Sequence, residues 1–371
     1  MRIGIVTFHC AYNYGSALQA YALQRYLEKL GHQTWIIHYL SPDFDNYRYL
    51  FIRRPFRRFF KDHSVMEIPK EIVKDVLLFP KRKKRAAVFR GFWKRYDHLT
   101  RPVRSERELA ALNRDFDAFI CGGDQIWSPG CVGKLIEPFF LSFAQKRRVS
   151  YAPSLGQTKL DGSVDGKRLG ELLDRLDAIS VREESAAQIL GQYTKKPITP
   201  VVDPVLLLEQ ADYEAMEEVF PIHEPYLMFY SIEDASPKVL AQCRRIADQQ
   251  HWKIVHFFAW DHMGSDTVSA FGCTPGQWLY LLRHAEFVLT NSYHAMLFSL
   301  ICQKPFSVMV PKETGVRQTD FMRQTGLEHR IFVPDTELRL DTEDEKAAMR
   351  KVTEKRENSE MYLKNALNGN E

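Results

Sequence analysis

The run Met1-Arg2-Ile3-Gly4-Ile5-Val6-Thr7-Phe8-His9-Cys10-Ala11-Tyr12-Asn13-Tyr14-Gly15-Ser16-Ala17-Leu18-Gln19-Ala20-Tyr21-Ala22 decides the fold. Ile3 to Phe8 reads as a short apolar strand, and His9 to Gly15 as a polar, aromatic turn. Ser16 is placed to cap a helix whose apolar stripe is Leu18, Tyr21, Ala22, Leu27 and Leu30. Gly31 stops that helix, and Thr34 to His38 is a second strand. Strand, tight loop, helix and strand open a doubly wound α/β domain, which binds ligands at the carboxyl ends of its parallel strands.

Outward from this start the rhythm breaks and then resumes. Residues 41–110 form a basic insertion with helical segments. The alternation returns with strands at Ala118–Cys121, Arg148–Ala152, Ala178–Val181 and Ile198–Val202. A second series begins at Tyr226–Tyr230 and continues through strands at Lys253–Phe257, Glu286–Thr290 and Pro305–Val310, with helices between them. Two successive series imply two parallel-sheet domains, 1–208 and 209–371, facing each other. The length of 371 residues fits two cores better than one.

Composition narrows the function classes. With 45% apolar and 26% charged residues the chain reads as an ordinary globular protein. No apolar run approaches the roughly 20 residues of a transmembrane helix. The N-terminus enters a strand directly, without the apolar segment of a secretory signal, so the expectation is a cytoplasmic protein. The six cysteines show no CxxC spacing and read as free thiols, with Cys121, after a strand, the one nearest the presumed site. No metal-ligand cluster is legible. The net charge of +4 hides an asymmetry: residues 51–101 carry sixteen Lys/Arg against five Asp/Glu, a net of +11. The densest stretches, 53–61 and 81–85, suit peripheral contact with an anionic membrane or an anionic substrate. No nucleic-acid motif accompanies them, and no nucleic-acid partner is expected.

Three loops gather chemistry. Asn13, Tyr14, Gly15 and Ser16 start the first helix, where free N–H groups attract phosphate or carboxylate. Gly122 and Gly123 allow a ligand close to the backbone. Asp124 follows them as a proton or hydroxyl acceptor or as a helix cap, with Gln125 and Trp127 beside it. Asn291 and Ser292 precede His294, which stands at the first turn of a helix and is placed for proton transfer. Arg182, directly after a strand, either grips an anionic donor or pairs with Glu183, Glu184 or a nearby Asp.

Six spaced motifs resemble the bacterial polysaccharide pyruvyl transferase family: 13–24, Gly-Gly-Asp-Gln-Ile-Trp (122–127), Ser-Tyr-Ala-Pro-Ser-Leu-Gly (150–156), Ile-Ser-Val-Arg-Glu (179–183), Val-Asp-Pro-Val (202–205) and Thr-Asn-Ser-Tyr-His-Ala (290–295). The resemblance implies two Rossmann-like domains facing across a cleft in the manner of GT-B glycosyltransferases. The acceptor would lie on the N-terminal side and the donor on the C-terminal side. It implies phosphoenolpyruvate as donor substrate, no cofactor and no metal, and a glycan or lipid-linked oligosaccharide as acceptor, with a pyruvate ketal formed on two sugar hydroxyls. His294 would be the general acid/base, Asp124 an acidic site residue, and Arg182, with Asn291 and Ser292, donor-binding. One departure stands out. Where members of the family carry an arginine two residues before the motif histidine, this chain has Ser292, which leaves Arg317 or Arg323 to replace the cation or a different donor to be used. A GT-B-type glycosyltransferase using a nucleotide sugar, with Glu313 a weak contact, is the alternative. A non-catalytic glycan-binding homologue is the third reading.

Overall fold

The computed structural model describes residues 1–41, 68–132, 134–157, 159–160, 164–233, 235–259, 264, 266–311, 315–333 and 339–369. The basic stretch 53–61 and Glu313 lie outside them.

In the first half, β1 (Arg2–Val6), β2 (Gln33–Ile36), β3 (Ala118–Gly122) and β4 (Arg147–Tyr151) form a parallel sheet in the order β2-β1-β3-β4. Ile3, Ile5 and Val6 of β1 are fully buried, as expected of a strand covered on both faces. β5 (Ile179–Val181) and β6 (Ile198–Pro200) pair in parallel, and a Val149–Ala178 bridge joins them to β4. On the opposite edge, residues 98–103 run beside β2 through the bridges Ile36–Leu99 and Tyr39–Val103. Read in chain order, the segments lie 3-2-1-4-5-6-7.

The second half repeats the plan. β7 (Tyr226–Tyr230), β8 (Lys253–His256), β9 (Thr267–Ser269), β10 (Phe287–Thr290) and β11 (Phe306–Val308) lie in the order β11-β10-β7-β8-β9, all parallel. A Val308–Ile331 bridge adds a last segment, giving 3-2-1-4-5-6. The short edge strand β9 has no apolar run, and no sequence pattern announced it. Both sheets reverse direction of winding between their first and fourth segments, and those two switch points define where a ligand crevice opens.

Helix α1 (Tyr14–Lys29) follows β1. Its cap is Asn13, not Ser16: Asn13 is extended and its side chain accepts from the Ser16 N–H at 3.2 Å. The helix therefore starts three residues earlier than the apolar stripe suggested, which releases the Ser16 hydroxyl for another partner. The basic insertion contributes α2 (Ile68–Tyr96), which touches both halves. From it the Arg85 guanidinium donates to the Tyr12 carbonyl and lies 5.3 Å from the Phe271 ring, while Lys81 donates to the Ala259 carbonyl at 2.8 Å.

The remaining helices used below are α3 (Glu106–Ala111), α4 (Gly166–Asp174), α5 (Glu184–Leu190), α6 (Pro237–Gln250), α7 (Pro275–His284), α8 (Tyr293–Ile301), α9 (Val316–Thr325) and α10 (Glu343–Asn368). α10 returns to the first half, where Tyr362 donates to the Ser150 carbonyl at 2.9 Å and Ser359 accepts from the Val202 N–H at 3.0 Å. The halves share an aromatic core. Tyr14 of α1 stacks on Trp278 of α7 at 5.6 Å and 14°, and its hydroxyl donates to the Cys273 carbonyl at 3.0 Å. Such a buried ring pair adds roughly 0.5–1.5 kcal/mol beyond its area.

Candidate active site

The loops at the two switch points enclose one cavity of about 520 Å³. β1 is followed by Phe8, Ala11, Tyr12, Asn13 and Ser16, and β3 by Asp124, Gln125 and Ser128. Gly156 and Gln157 follow β4. From the other half come Ile232 and Glu233 after β7, Ser292, Tyr293 and His294 after β10, and Arg317 at the start of α9. Both sheets thus present their strand carboxyl ends to the same space, and α1, α8 and α9 turn their N-termini toward it. Those termini carry partial positive charge and favour an anion.

His294 is held by the run in front of it. Thr290 donates to the Tyr230 carbonyl at 2.6 Å and accepts from the Ser292 N–H at 2.9 Å. The Asn291 side chain accepts from the Ile232 N–H at 2.8 Å, tying the β7 and β10 loops together. Ser292 caps α8, accepting from the Ala295 N–H at 3.3 Å. The polar run that drew attention to this segment is consequently a scaffold: its groups are spent on fixing the start of α8. Only Ser292, Tyr293 and His294 of it line the cavity.

The His294 ring is 5% exposed and bridges the halves. A Cβ on Gly15 would stand 2.4–2.7 Å from its atoms, so only glycine at the second position of α1 lets the ring seat there. On its other side, Nε2 is buried without a hydrogen-bond partner among the described residues and lies 3.5 Å from Asp203 Oδ2. Asp203 is fully buried, and it caps the short turn Pro204–Leu207 by accepting from the Val205 N–H at 3.0 Å. Burial alone would raise its carboxyl pKa. The adjacent His294 and Arg182 overcome that and hold it well below the usual carboxylate range. Asp203, quoted within the Val-Asp-Pro-Val motif but given no role there, is the site residue that sequence reasoning missed.

Arg182 does not line the cavity. Its side chain is buried behind Tyr293, with Nη1 donating to Asp203 Oδ2 at 2.5 Å and Nε to Glu183 Oε1 at 3.2 Å. The guanidinium carbon stands 4.5 Å over the Tyr293 ring, and that of Arg317 lies 5.5 Å from the same ring. Of the two readings of Arg182, the geometry contains the ion pair. Arg317 faces the cavity, whereas Arg323 is largely exposed and pairs with Asp320 at 3.1 Å.

On the N-terminal wall, Ser16 Oγ donates to Asp124 Oδ2 and the Gln125 N–H donates to Oδ1 at 2.8 Å. Asp124 adopts positive φ (46°), a sparsely populated conformation that turns its carboxylate toward α1. Gly123, at φ 64°, sits where a Cβ would fall 1.7 Å from Gln19 Oε1. Gly122 and Gly123 therefore serve close packing of the chain on itself. Trp127 belongs to the core: it is 1% exposed, donates to the Phe139 carbonyl at 2.8 Å and stacks on Phe140 at 4.7 Å. Tyr14 is likewise in the shared core, away from the cavity. Cys121 is fully buried, and burial pushes its thiol pKa up, which disfavours the nucleophilic thiolate. Cys243, Cys273 and Cys302 are also free thiols.

A family model for polysaccharide pyruvyl transferase matches residues 13–312, most of the chain and most of the residues that line the cavity. The chain belongs to the polysaccharide pyruvyl transferase family. A comparison with curated proteins gives no match. Among solved structures this pyruvyl transferase family member is similar to a putative UDP-N-acetylglucosamine 2-epimerase from Listeria monocytogenes (10% identity, 99% of this chain, 90% of that one, TM-score 0.50). It is similar to the same extent to UDP-GlcNAc 2-epimerase from Methanocaldococcus jannaschii (11% identity, 95% and 92% covered, TM-score 0.50). At such identity the likeness shows the fold alone, two Rossmann-like domains in the GT-B arrangement. Among the described residues of this family member no helix is long and apolar enough to cross a membrane, and no group of His, Cys, Asp and Glu could hold a metal ion.

Proposed function

We propose that the protein transfers the pyruvyl group of phosphoenolpyruvate to two hydroxyls of a sugar in a cell-envelope or extracellular glycan, forming a cyclic ketal and releasing phosphate. The observation that carries this reading is the meeting, in one cavity, of a buried histidine with three helix N-termini and the Arg317 cation. A donor bearing both phosphate and carboxylate needs N–H donors and a cation of this kind, and carbon protonation needs a fixed acid.

The steps balance as follows. His294, as imidazolium, gives a proton to the methylene carbon of the donor, and the adjacent carbon becomes oxocarbenium-like. One sugar hydroxyl adds to that carbon and yields its proton to the imidazole. The second hydroxyl then adds as the bond to phosphate oxygen breaks, its proton leaving with phosphate. Asp203 supports the positive charge on the ring during the first step. The Ser16–Asp124 hydrogen bond, into which a sugar hydroxyl could exchange, supports an acceptor on the N-terminal wall. Arg317 stands in for the cation missing at Ser292.

The test is acceptor-dependent phosphate release from phosphoenolpyruvate, followed by phosphorus NMR with a panel of glycans. Release abolished by His294→Ala supports the reading. Folded protein that neither binds nor consumes phosphoenolpyruvate sinks it, and protection of the second half by a nucleotide sugar would move the glycosyltransferase alternative to first place. A glycan-binding protein without turnover would keep its biological effect in His294→Ala. We place the enzyme in the cytoplasm, at the inner face of the membrane where lipid-linked acceptors lie, with the basic helix α2 toward anionic lipid.

A further inference from the structure

A second cavity, of about 580 Å³, opens in the first half beside the one just described. Its walls are the loop after β1 (Tyr12), the residues following β2 (His38, Leu40) and the last turns of α2 (Arg90, Lys94). The volume falls within the roughly 300–1,000 Å³ of small-molecule sites. Tyr12 lines both cavities and stacks on Trp93 at 5.9 Å and 17°. An extended ligand passing this common wall reaches each cavity.

Two cations in this wall are unpaired. Phe89, Phe92 and Trp93 seat one face of α2 in the core, and Arg90 and Lys94 stand exposed, one turn apart. Other cations of the helix are spent on the protein: Lys81 on the Ala259 carbonyl, Arg85 on the Tyr12 carbonyl and Arg95 on Glu218 at 3.6 Å. Arg90 and Lys94 have no hydrogen-bond or ion-pair partner among the described residues. Like charges at this spacing oppose the helix, and an anion between them turns that repulsion into attraction. The carbonyl end of a helix favours a lysine in its last turn, which accounts for Lys94 but not for Arg90 a turn earlier.

The charges of this wall discriminate among ligands. The one acid among the described lining residues is Asp97. Both of its carboxyl oxygens are closed to solvent and unpartnered, and burial pushes its pKa well above the ordinary value, toward the uncharged acid. Asp97 therefore neither meets an entering anion nor repels it as a carboxylate would. A cation would face Arg90 and Lys94, and a neutral sugar would leave both charges unmet. A guanidinium and an ammonium one turn apart match a group with several anionic oxygens, which phosphate and above all diphosphate supply. We propose that this cavity is an anion site, in which Arg90 and Lys94 hold a phosphate or diphosphate group carried by the acceptor while its sugar, past Tyr12, presents the reacting hydroxyls beside His294. The proposal rests on the reading of the acceptor as a lipid-linked glycan and adds the place where the linking phosphates lie.

Titration calorimetry on the full chain tests it. The probes are inorganic pyrophosphate, phosphoenolpyruvate, glucosyl and N-acetylglucosaminyl diphosphates bearing a short alkyl chain, and the methyl glycosides of the same two sugars. The variants are the pair Arg90→Gln with Lys94→Gln, and Arg317→Gln to weaken anion binding in the first cavity, each checked by its melting curve. Pyrophosphate binding to the Arg317→Gln protein should weaken roughly tenfold or more when the pair is added, as expected for lost charge-assisted hydrogen bonds. It should also weaken with rising salt, which screens exposed charges. In the otherwise wild-type chain the pair should leave phosphoenolpyruvate binding unchanged. Glycosyl diphosphates should bind more tightly than the methyl glycosides, and the pair should remove that advantage. Pyrophosphate binding untouched by the pair overturns the site. Pair-dependent pyrophosphate binding, with glycosyl diphosphates no tighter than methyl glycosides, indicates a site for the free ion and overturns its assignment to the acceptor. If phosphoenolpyruvate fails to bind while pair-dependent glycosyl diphosphate binding holds, the donor assignment falls and this site stands; the converse result removes this site alone.

Discussion

Asp203 Oδ2 lies 3.5 Å from His294 Nε2 and 2.5 Å from Arg182 Nη1, so one buried carboxylate from the first half serves both a histidine of the second and an arginine of its own. The arrangement ties chemistry to folding. Replacing Asp203 by Asn should lower kcat roughly 10–100-fold with little change in KM, a fraction of the 10²–10⁴-fold that acid–base groups contribute. It should also lower Tm, because Arg182 keeps only Glu183 in a buried setting. Steady-state kinetics well below the melting range separate the two effects.

The pH dependence of stability follows from the same carboxylate. Its folded-state pKa is depressed, so its stabilising contribution is fully present above the unfolded-state value of about 4 and is lost as pH falls through the lower folded-state value. Denaturant titrations between pH 6 and about 2 should therefore show a shallower acid loss in Asp203→Asn than in the wild type. Equal acid slopes would contradict the assigned charge state.

Gly15 offers a test of how closely the halves meet. A Cβ there would lie 2.4–2.7 Å from the His294 ring, which has Asp203 on its far side. Gly15→Ala removes a residue worth about 1 kcal/mol of helix propensity relative to alanine, and that gain offsets part of the clash. The expected outcome is activity reduced at least tenfold with a Tm near that of the wild type. Activity preserved in Gly15→Ala would mean that the ring does not need its present seat.

The assignment of the donor cation separates two arginines that sequence alone left equivalent. Arg317 lines the cavity, and Arg323 is exposed and paired with Asp320. Arg317→Gln should raise the KM or Kd for phosphoenolpyruvate by roughly tenfold or more, in line with the loss of about 1.5–3 kcal/mol for a charge-assisted hydrogen bond. Arg323→Ala should leave both unchanged.

Much of this was legible beforehand, for identifiable reasons. Apolar runs such as Ile3 to Val6 and Tyr226 to Tyr230, separated by helices, spelled out two parallel sheets because buried parallel strands are apolar on both faces. His294 and Ser16 were legible because they follow strand ends. Asp203 was not assigned and Arg317 was left level with Arg323, since their positions depend on which loops of the two halves oppose each other, a long-range fact without local signature. Trp127 and Tyr14 misled in the opposite direction: an aromatic residue near a polar loop carries no mark of whether it faces the cleft or the core. The helix cap moved from Ser16 to Asn13 because both residue types cap well, and only the backbone shows which one is extended.

The basic helix makes a separable prediction about membranes. In 81–85, Lys81 is spent on the Ala259 carbonyl and Arg85 on Tyr12, which leaves Lys83 and Lys84 exposed. Each lysine near an anionic surface is worth about 1 kcal/mol. Wild-type protein should co-sediment with phosphatidylserine-containing vesicles at low salt, and the pair Lys83→Glu and Lys84→Glu should weaken this at least tenfold. Co-sedimentation equal on neutral and anionic vesicles would remove the idea.

Asp97 predicts a stabilising substitution. Its folded-state pKa is raised by burial, so the carboxyl favours the fold below the unfolded-state value of about 4 and increasingly opposes it as pH climbs from there toward the folded-state value. Asp97→Asn keeps the shape and has no charge to desolvate. Its Tm should exceed that of the wild type by a few degrees at pH 7–8, and the two should converge below about pH 4, where the carboxyl is protonated in both states. A variant destabilised at neutral pH would mean instead that Asp97 is charged and satisfied in solution.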